Sequence, residues 1–205
     1  MANNGQPVEL KLVPDADGLE VDMATLQGLW TEQQYLKVTD QTNHLIEFTD
    51  GVIEILPMPT QKHQAILQFL FLAILPRIKH IGGRVYFAPL RLRIREGKFR
   101  EPDLLLVLDA HDTRQQNRFW LGADLVMEVV SSDNPERDTK VKRVDYAEAG
   151  IPEYWIVNPE DQTITVLKLE GGTYVEHAVA GRGETAISAL LEGFAVGVAD
   201  VLDAE

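Results

Sequence analysis

The sequence predicts an α/β fold: a mixed central sheet flanked by helices, with a helix and hairpin in front of it and a β extension behind. Three observations predict this. Leu104, Leu105, Leu106, Val107 and Leu108 form one short apolar run. Leu125, Val126 and Met127, continuing through Val129 and Val130, form another, and runs of this length and branching read as strands buried on both faces. Ile66, Leu67, Leu70, Phe71, Ile74, Leu75 and Ile78 recur at the spacing of an amphipathic helix. Beyond Gly150, apolar segments alternate with Pro and Gly punctuation, the pattern of successive strands.

Taken in order, residues 1–20 are polar, carry Pro and Gly and show no period, so they are expected to form a flexible arm, with 21–205 as one domain. Thr31 is placed to cap a short helix through Tyr35 and Leu36, with Glu32 in its first turn. Residues 45–49 and 52–56, separated by Asp50-Gly51, read as a hairpin. The long helix begins near Thr60, and Pro76 is a place for it to kink or end. Gly82-Gly83 then breaks to strands near 84–95 and 101–108, joined through Glu96-Gly97-Lys98. A loop over 131–135 leads to a helix over 137–149, closed by Gly150 in the left-handed position. Residues 153–157, 164–168 and 174–176 are the remaining strands, with turns at 159–161 and at Gly171-Gly172.

A chain of 205 residues with 45% hydrophobic content buries a sizeable core in a single domain. With no cysteine, it has neither disulfides nor thiolate metal sites. No uninterrupted apolar run approaches the roughly 20 residues that span a bilayer, so no membrane partner is expected. The first seven residues lack the basic and apolar parts of a signal peptide, and the expectation is a cytoplasmic protein. The net charge of −13 argues against a broad attraction to phosphate. Residues 90–95 are a local exception, because Arg91, Arg93 and Arg95 alternate with Leu90, Leu92 and Ile94, and Lys98 and Arg100 follow. They read either as a basic ridge leading toward Asp103 or as an ordinary solvated strand face.

Asp103, after Pro102, and Glu128 each sit beside one of the apolar runs. A carboxylate among so many branched side chains is costly to bury unless a cation compensates it, and a metal ion and a lysine are the two candidates. Two carboxylates offer hard oxygen ligands to Mg²⁺ or Mn²⁺ while leaving positions for water and phosphate oxygen. Plainer explanations exist: Asp103 as the cap of a turn, Glu128 as the salt-bridge partner of Lys142. Asp138, Lys142 and Tyr146 recur at i, i+4 and i+8, roughly one helix face, so a helix packed beside the second strand returns Lys142 to Glu128. Lys140, two positions away, faces the other side and reads as a surface residue. His63 shares the apolar face of its helix, as either a core residue or a ligand.

Several of these residues form an ordered set. Glu47-Phe48-Thr49-Asp50-Gly51, Pro57-Met58-Pro59 with His63-Gln64, Pro102-Asp103, Glu128-Val129-Val130-Ser131, Asp138 with Lys142 and Tyr146, and the stretch from Gly150 through Tyr154 to Pro159 resemble the Uma-two family. That family is a restriction-endonuclease-like group within the PD-(D/E)xK nuclease superfamily, and the resemblance runs from about Trp30 to about Leu169. It implies a restriction-endonuclease-like core and a metal-dependent endonuclease acting on nucleic acid, DNA first. It implies Asp103 and Glu128 as ligands of Mg²⁺ (or Mn²⁺), Lys142 as the catalytic cation, and Glu47 as an early acid completing the site. His63, Asp138, Tyr146, Arg91 and Arg93 then contact substrate or support the site. In the parent superfamily a lysine follows the second acid two positions on, whereas Val130 stands there in this chain. Enzymes that cut both strands often pair two sites, so a homodimer is expected. Two other readings remain open: a nuclease-fold module that binds another protein, and a hydrolase of small phosphodiesters or nucleotides.

Overall fold

Helix α1 (Glu32–Thr39) starts at Thr31, whose hydroxyl accepts from the Gln34 N–H while the Gln34 side chain accepts from the Thr31 N–H, a reciprocal cap. These contacts belong to a computed structural model that describes residues 26–205, so the expected arm lies outside the described residues. The hairpin follows: β1 (Ile46–Thr49) pairs antiparallel with β2 (Val52–Ile55). Asp50 and Gly51 turn it with φ of 46° and 89°, the left-handed conformation that a two-residue hairpin turn requires.

Helix α2 (Gln61–Ile81) runs through Pro76 without ending. Ile66, Leu70, Ile74 and Ile78 are all buried along one stripe, and burying the turns on either side of Pro76 outweighs the lost hydrogen bond. By length and composition α2 would pass as a membrane span, but its apolar stripe is spent on the core.

The strand expected at 84–95 is broken in two, the one expected at 101–108 is shortened to 104–107, and a further short strand forms between them. The chain forms β3 (Arg84–Phe87), β4 (Leu92–Arg95), β5 (Lys98–Arg100) and β6 (Leu104–Val107). The breaks fall beside Pro89 and Pro102, which have no N–H to give a ladder. At each break the chain changes sheets. β4 and β5 join the hairpin in a four-stranded antiparallel sheet of order β2-β1-β5-β4, covered by α1. β3 and β6 belong to a six-stranded sheet with β7 (Leu125–Val129), β8 (Glu153–Asn158), β9 (Thr163–Glu170) and β10 (Thr173–Gly181), in the order β10-β9-β8-β7-β6-β3.

In that larger sheet, β7 and β8 are parallel, while β9 and β10 close it antiparallel. The parallel crossover carries a helical segment that opens with one π turn, Arg137–Val141, and continues as α3 (Lys142–Glu148). Gly150 (φ 70°) ends it as expected. The sheet is buried on both faces: Leu104, Leu106, Leu125, Met127 and Val129 pack toward α2, and Leu105, Val107, Val126 and Val130 toward α3. The chain goes beyond the expected extension with a small hairpin, β11 (Thr185–Ile187) and β12 (Ala195–Gly197), and a final helix α4 (Val198–Leu202) that packs on α2.

Candidate active site

Alternation along β7 puts Glu128 on the face of Val126 and Val130, toward α3, with 1% of its surface exposed. One oxygen accepts from the Asp103 N–H at 3.3 Å; the other meets the Lys142 ammonium at 2.9 Å and accepts the Tyr146 hydroxyl in a very short hydrogen bond. Asp103 sits between Pro102 and the first residue of β6, so its side chain projects from a strand end. Its Oδ2 accepts from the Val129 N–H at 2.8 Å and lies 3.0 Å from His63 Nε2, presented by the first turn of α2.

Lys142 is the hub. Its ammonium lies 2.9 Å from Glu128, 3.1 Å from Asp138 and 3.6 Å from Glu47. The π turn widens the helix where Asp138 and Lys142 face each other, a local irregularity often found at functional sites. Glu47, on the central strand β1 of the smaller sheet, is also 3.5 Å from Arg100, which is itself held by Asp145 at 2.7 Å. The structure thus brings Asp103, Glu128, Lys142, Glu47, His63, Asp138 and Tyr146 together. Lys140 is exposed and paired with Glu136.

The electrostatics follow from an excess of acids over cations in a buried place. Burial raises the Glu128 carboxyl well above the usual range; Lys142 opposes the rise, and Asp103 and Asp138 add to it. Lys142 holds its proton more tightly than an ordinary lysine, because Glu128, Asp138, Glu47 and Asp103 overcome the opposing effect of burial. For Asp103, burial acts upward, but His63, Lys142 and the Val129 N–H outweigh it and hold the carboxyl low. For His63, burial acts downward, and Asp103 outweighs it to push the imidazole upward.

Glu47, Glu128 and Asp138 therefore share one lysine and part of one arginine, while Asp103 has the His63 imidazole, so four acidic groups outnumber the cations around them. That deficit of positive charge fits a further cation. Among the described residues no three acidic or histidine side chains form a ready-made ion cage. The donor set suits an ion held by two carboxylates with water completing its shell, as Mg²⁺ accepts.

A pocket of about 140 Å³ opens at this cluster, walled by Pro57, Pro59, Leu67 and Val129 and reached by Asp103, His63, Asp138 and Lys142. It is also lined by Gln64 and Ser131, both within the sequence motifs, and by Arg137 and Glu101, which the sequence did not single out. Among the described residues Arg137 Nε and His63 Nδ1 are buried without a protein partner, although Arg137 Nη2 is paired with Glu54 at 2.9 Å. The signal for Arg137 was its place next to Asp138. Only the π turn shows that it belongs with the pocket.

The arginines of β4 need correction. Arg91 binds Asp40 at 2.8 Å, Arg93 binds Glu32 at 3.3 Å, and Arg95 binds both Asp50 and Glu148. Lys98 is held by Asp145 and Glu148. The row is neither a free basic ridge nor a solvated face. Acids on α1, the hairpin turn and α3, distant in sequence, neutralise it, so Arg91 and Arg93 join α1 to the smaller sheet.

Fold and site together define the class: an α/β, restriction-endonuclease-like protein with two carboxylates and a lysine gathered at the strand ends of a mixed sheet. The Uma2 family model, described as "Putative restriction endonuclease", matches residues 32–201, and the chain belongs to that family. A crystal structure described as "a putative nuclease belonging to DUF820" from Anabaena variabilis ATCC 29413 is similar to the chain, with a TM-score of 0.64 and 18% identity. The match covers 82% of this chain and 96% of that one and shows the shared fold. A search of curated proteins gave no match. The chain is nuclease-like.

Proposed function

We propose that the protein is a metal-dependent endonuclease that hydrolyses phosphodiester bonds of nucleic acid, DNA first, with Asp103 and Glu128 holding Mg²⁺ or Mn²⁺. The observation that carries this is the meeting of Asp103, Glu128 and Lys142 beside one pocket, where the 2.9 Å contact of Lys142 with Glu128 brings from α3 the amine that Val130, just past β7, does not supply. A bound divalent ion supplies Lewis-acid polarisation of the phosphoryl group and eases ionisation of the attacking water.

The chain's own residues do the rest. Asp138 and Glu47 fix the Lys142 ammonium from either side, so that it meets the charge developing at phosphorus without reorganising. Tyr146 holds Glu128 in place, and His63 with the Val129 N–H holds Asp103. Arg137 Nε and His63 Nδ1 are donors for the phosphate oxygens. The small apolar-walled pocket limits competing water. Action as a homodimer in the cytoplasm belongs to the same proposal.

The test incubates the full chain with supercoiled plasmid, single-stranded DNA, RNA and bis(p-nitrophenyl) phosphate, with Mg²⁺, Mn²⁺ or chelator. Metal-dependent nicking that Asp103→Ala and Glu128→Ala abolish is expected. Identical behaviour of wild type and both variants sinks the proposal. A second reading, a nuclease-fold module that binds another protein, is favoured by the charge of −13 and the neutralised arginine row. It predicts no metal-dependent product in any arm.

A further inference from the structure

A second, larger recess lies outside the acidic cluster. It is an open groove of about 620 Å³ along β3 and the loop after Ala110, and it shares Phe87 and Ala88 with the lining of the small catalytic pocket. β3 is the last strand of the six-stranded sheet, so among the described residues no strand pairs with its outer edge. Phe87 is 51% exposed and braced edge-on by Phe71; Tyr86 is 42% exposed and braced edge-on by Trp120. As neighbours on a strand the two rings lean toward opposite faces of the sheet, Phe87 toward α2 and Tyr86 toward Trp120, and both are left half-exposed at its open edge.

The charge of the groove differs from that of the chain. Among the described residues that line it, the only acid is Asp112, held by Arg114 at 2.5 Å. Arg84 hydrogen-bonds the Ala110 carbonyl at 3.3 Å and makes no ion pair among the described residues, so its charge is open to an anion. The exposed amides of Gln116 and Asn117 complete the rim. On a chain of net charge −13, the groove therefore offers a polyanion a face with no unpaired acid among its described lining residues, and it adjoins the Asp103 pocket at Phe87 and Ala88.

Resting on the hydrolytic reading of the catalytic pocket, we infer that this groove binds the single-stranded segment of nucleic acid flanking the scissile phosphodiester, with Phe87 stacking the adjoining base. Stacking on an aromatic face is tolerant of sequence and, unlike duplex binding, needs no broad basic surface. Arg84, beside the Tyr86 hydroxyl, takes a backbone phosphate, and the Gln116 and Asn117 amides reach base edges.

The experiment measures fluorescence anisotropy of the full chain in EDTA, where nothing is cut, with short labelled oligothymidylate or oligouridylate, an abasic strand of equal length, and a duplex. Phe87→Leu keeps apolar packing on Phe71 but removes the ring, and it should weaken binding of the preferred single strand about tenfold. Arg84→Ala should lower the salt dependence by about one phosphate contact. The abasic strand should bind wild type at least as weakly as the base-bearing strand binds Phe87→Leu. Unchanged affinity of Phe87→Leu, equal binding of abasic and base-bearing strands, or tighter binding of duplex overturns the inference. So does a concentration-dependent dimer that Phe87→Leu dissolves and that excludes the strand, which assigns the edge to a second copy. If the strand binds through Phe87 and no phosphodiester is ever cut, hydrolysis fails and the groove stands. If cutting occurs and Phe87→Leu changes neither Kd nor KM, the groove fails and hydrolysis stands.

Discussion

Replacing Lys142 by Met removes the charge at the centre of the acidic cluster and leaves the apolar stem in place. The ammonium is 4% exposed and lies within 3.6 Å of Glu128, Asp138 and Glu47, so the variant buries three carboxylates without their shared partner. Breaking a buried pair from one side costs about 3–5 kcal/mol, whereas the near-isosteric stem changes packing by less than about 1.5 kcal/mol. For a chain of this size each kcal/mol moves Tm by about 2–4 °C, so a fall of about 6–20 °C is expected at pH 8. The loss shrinks on acidification. Glu128 already has a raised folded pKa, and without Lys142 it rises further; a carboxyl raised in this way favours the folded state at low pH and loses that contribution as pH climbs through its folded pKa. Calorimetric or circular-dichroism melts at pH 5 and pH 8 read both effects. A Tm within about 2 °C of wild type at pH 8, with no pH dependence of the difference, refutes the view that Lys142 neutralises this cluster.

Other outcomes follow from the same geometry. Glu101 is buried and its pKa pushed up to about 7, chiefly by desolvation, against an ordinary value of 4.5. Its contribution is therefore fully present below pH 4.5 and lost as pH rises through 7, so Glu101→Gln should gain up to about 3 kcal/mol over wild type at pH 8 and nothing at pH 4, measured by denaturant melts. A less stable variant at pH 8 contradicts this. Arg93→Ala should leave the salt slope of nucleic-acid binding unchanged, because Glu32 already holds that charge, whereas a free phosphate contact would lower the slope by about one. Tyr146→Phe deprives buried Glu128 of a donor and should cost about 1–3 kcal/mol of stability, checked by chemical unfolding.

Much of the site was legible in the sequence because it is written in local periodicities. The apolar runs beside Asp103 and Glu128 marked buried strands, and the four-residue spacing of Asp138, Lys142 and Tyr146 marked one helix face. What escaped was set by partners far along the chain. Whether Arg91, Arg93 and Arg95 were a basic ridge depended on Asp40, Glu32, Asp50 and Glu148, which only the packing of α1, the hairpin and α3 brings near. The exchange of strands between the two sheets at Pro89 and Pro102 was hidden for a similar reason. A proline shows where a ladder is interrupted but not which sheet the chain enters next. The π turn at Arg137–Val141 leaves no mark in residue spacing, and with it went the placement of Arg137.

Calorimetric titration of the full chain with Mn²⁺, beside Asp103→Asn and Glu128→Gln, bears most directly on the idea that these two acids and Lys142 form a cation site. A single Mn²⁺ site in wild type is predicted, with proton release at neutral pH as the ion displaces the proton that buried Glu128 tends to keep, and with binding lost in both variants. Wild type that takes up no Mn²⁺, or variants that take it up as wild type does, would contradict the account.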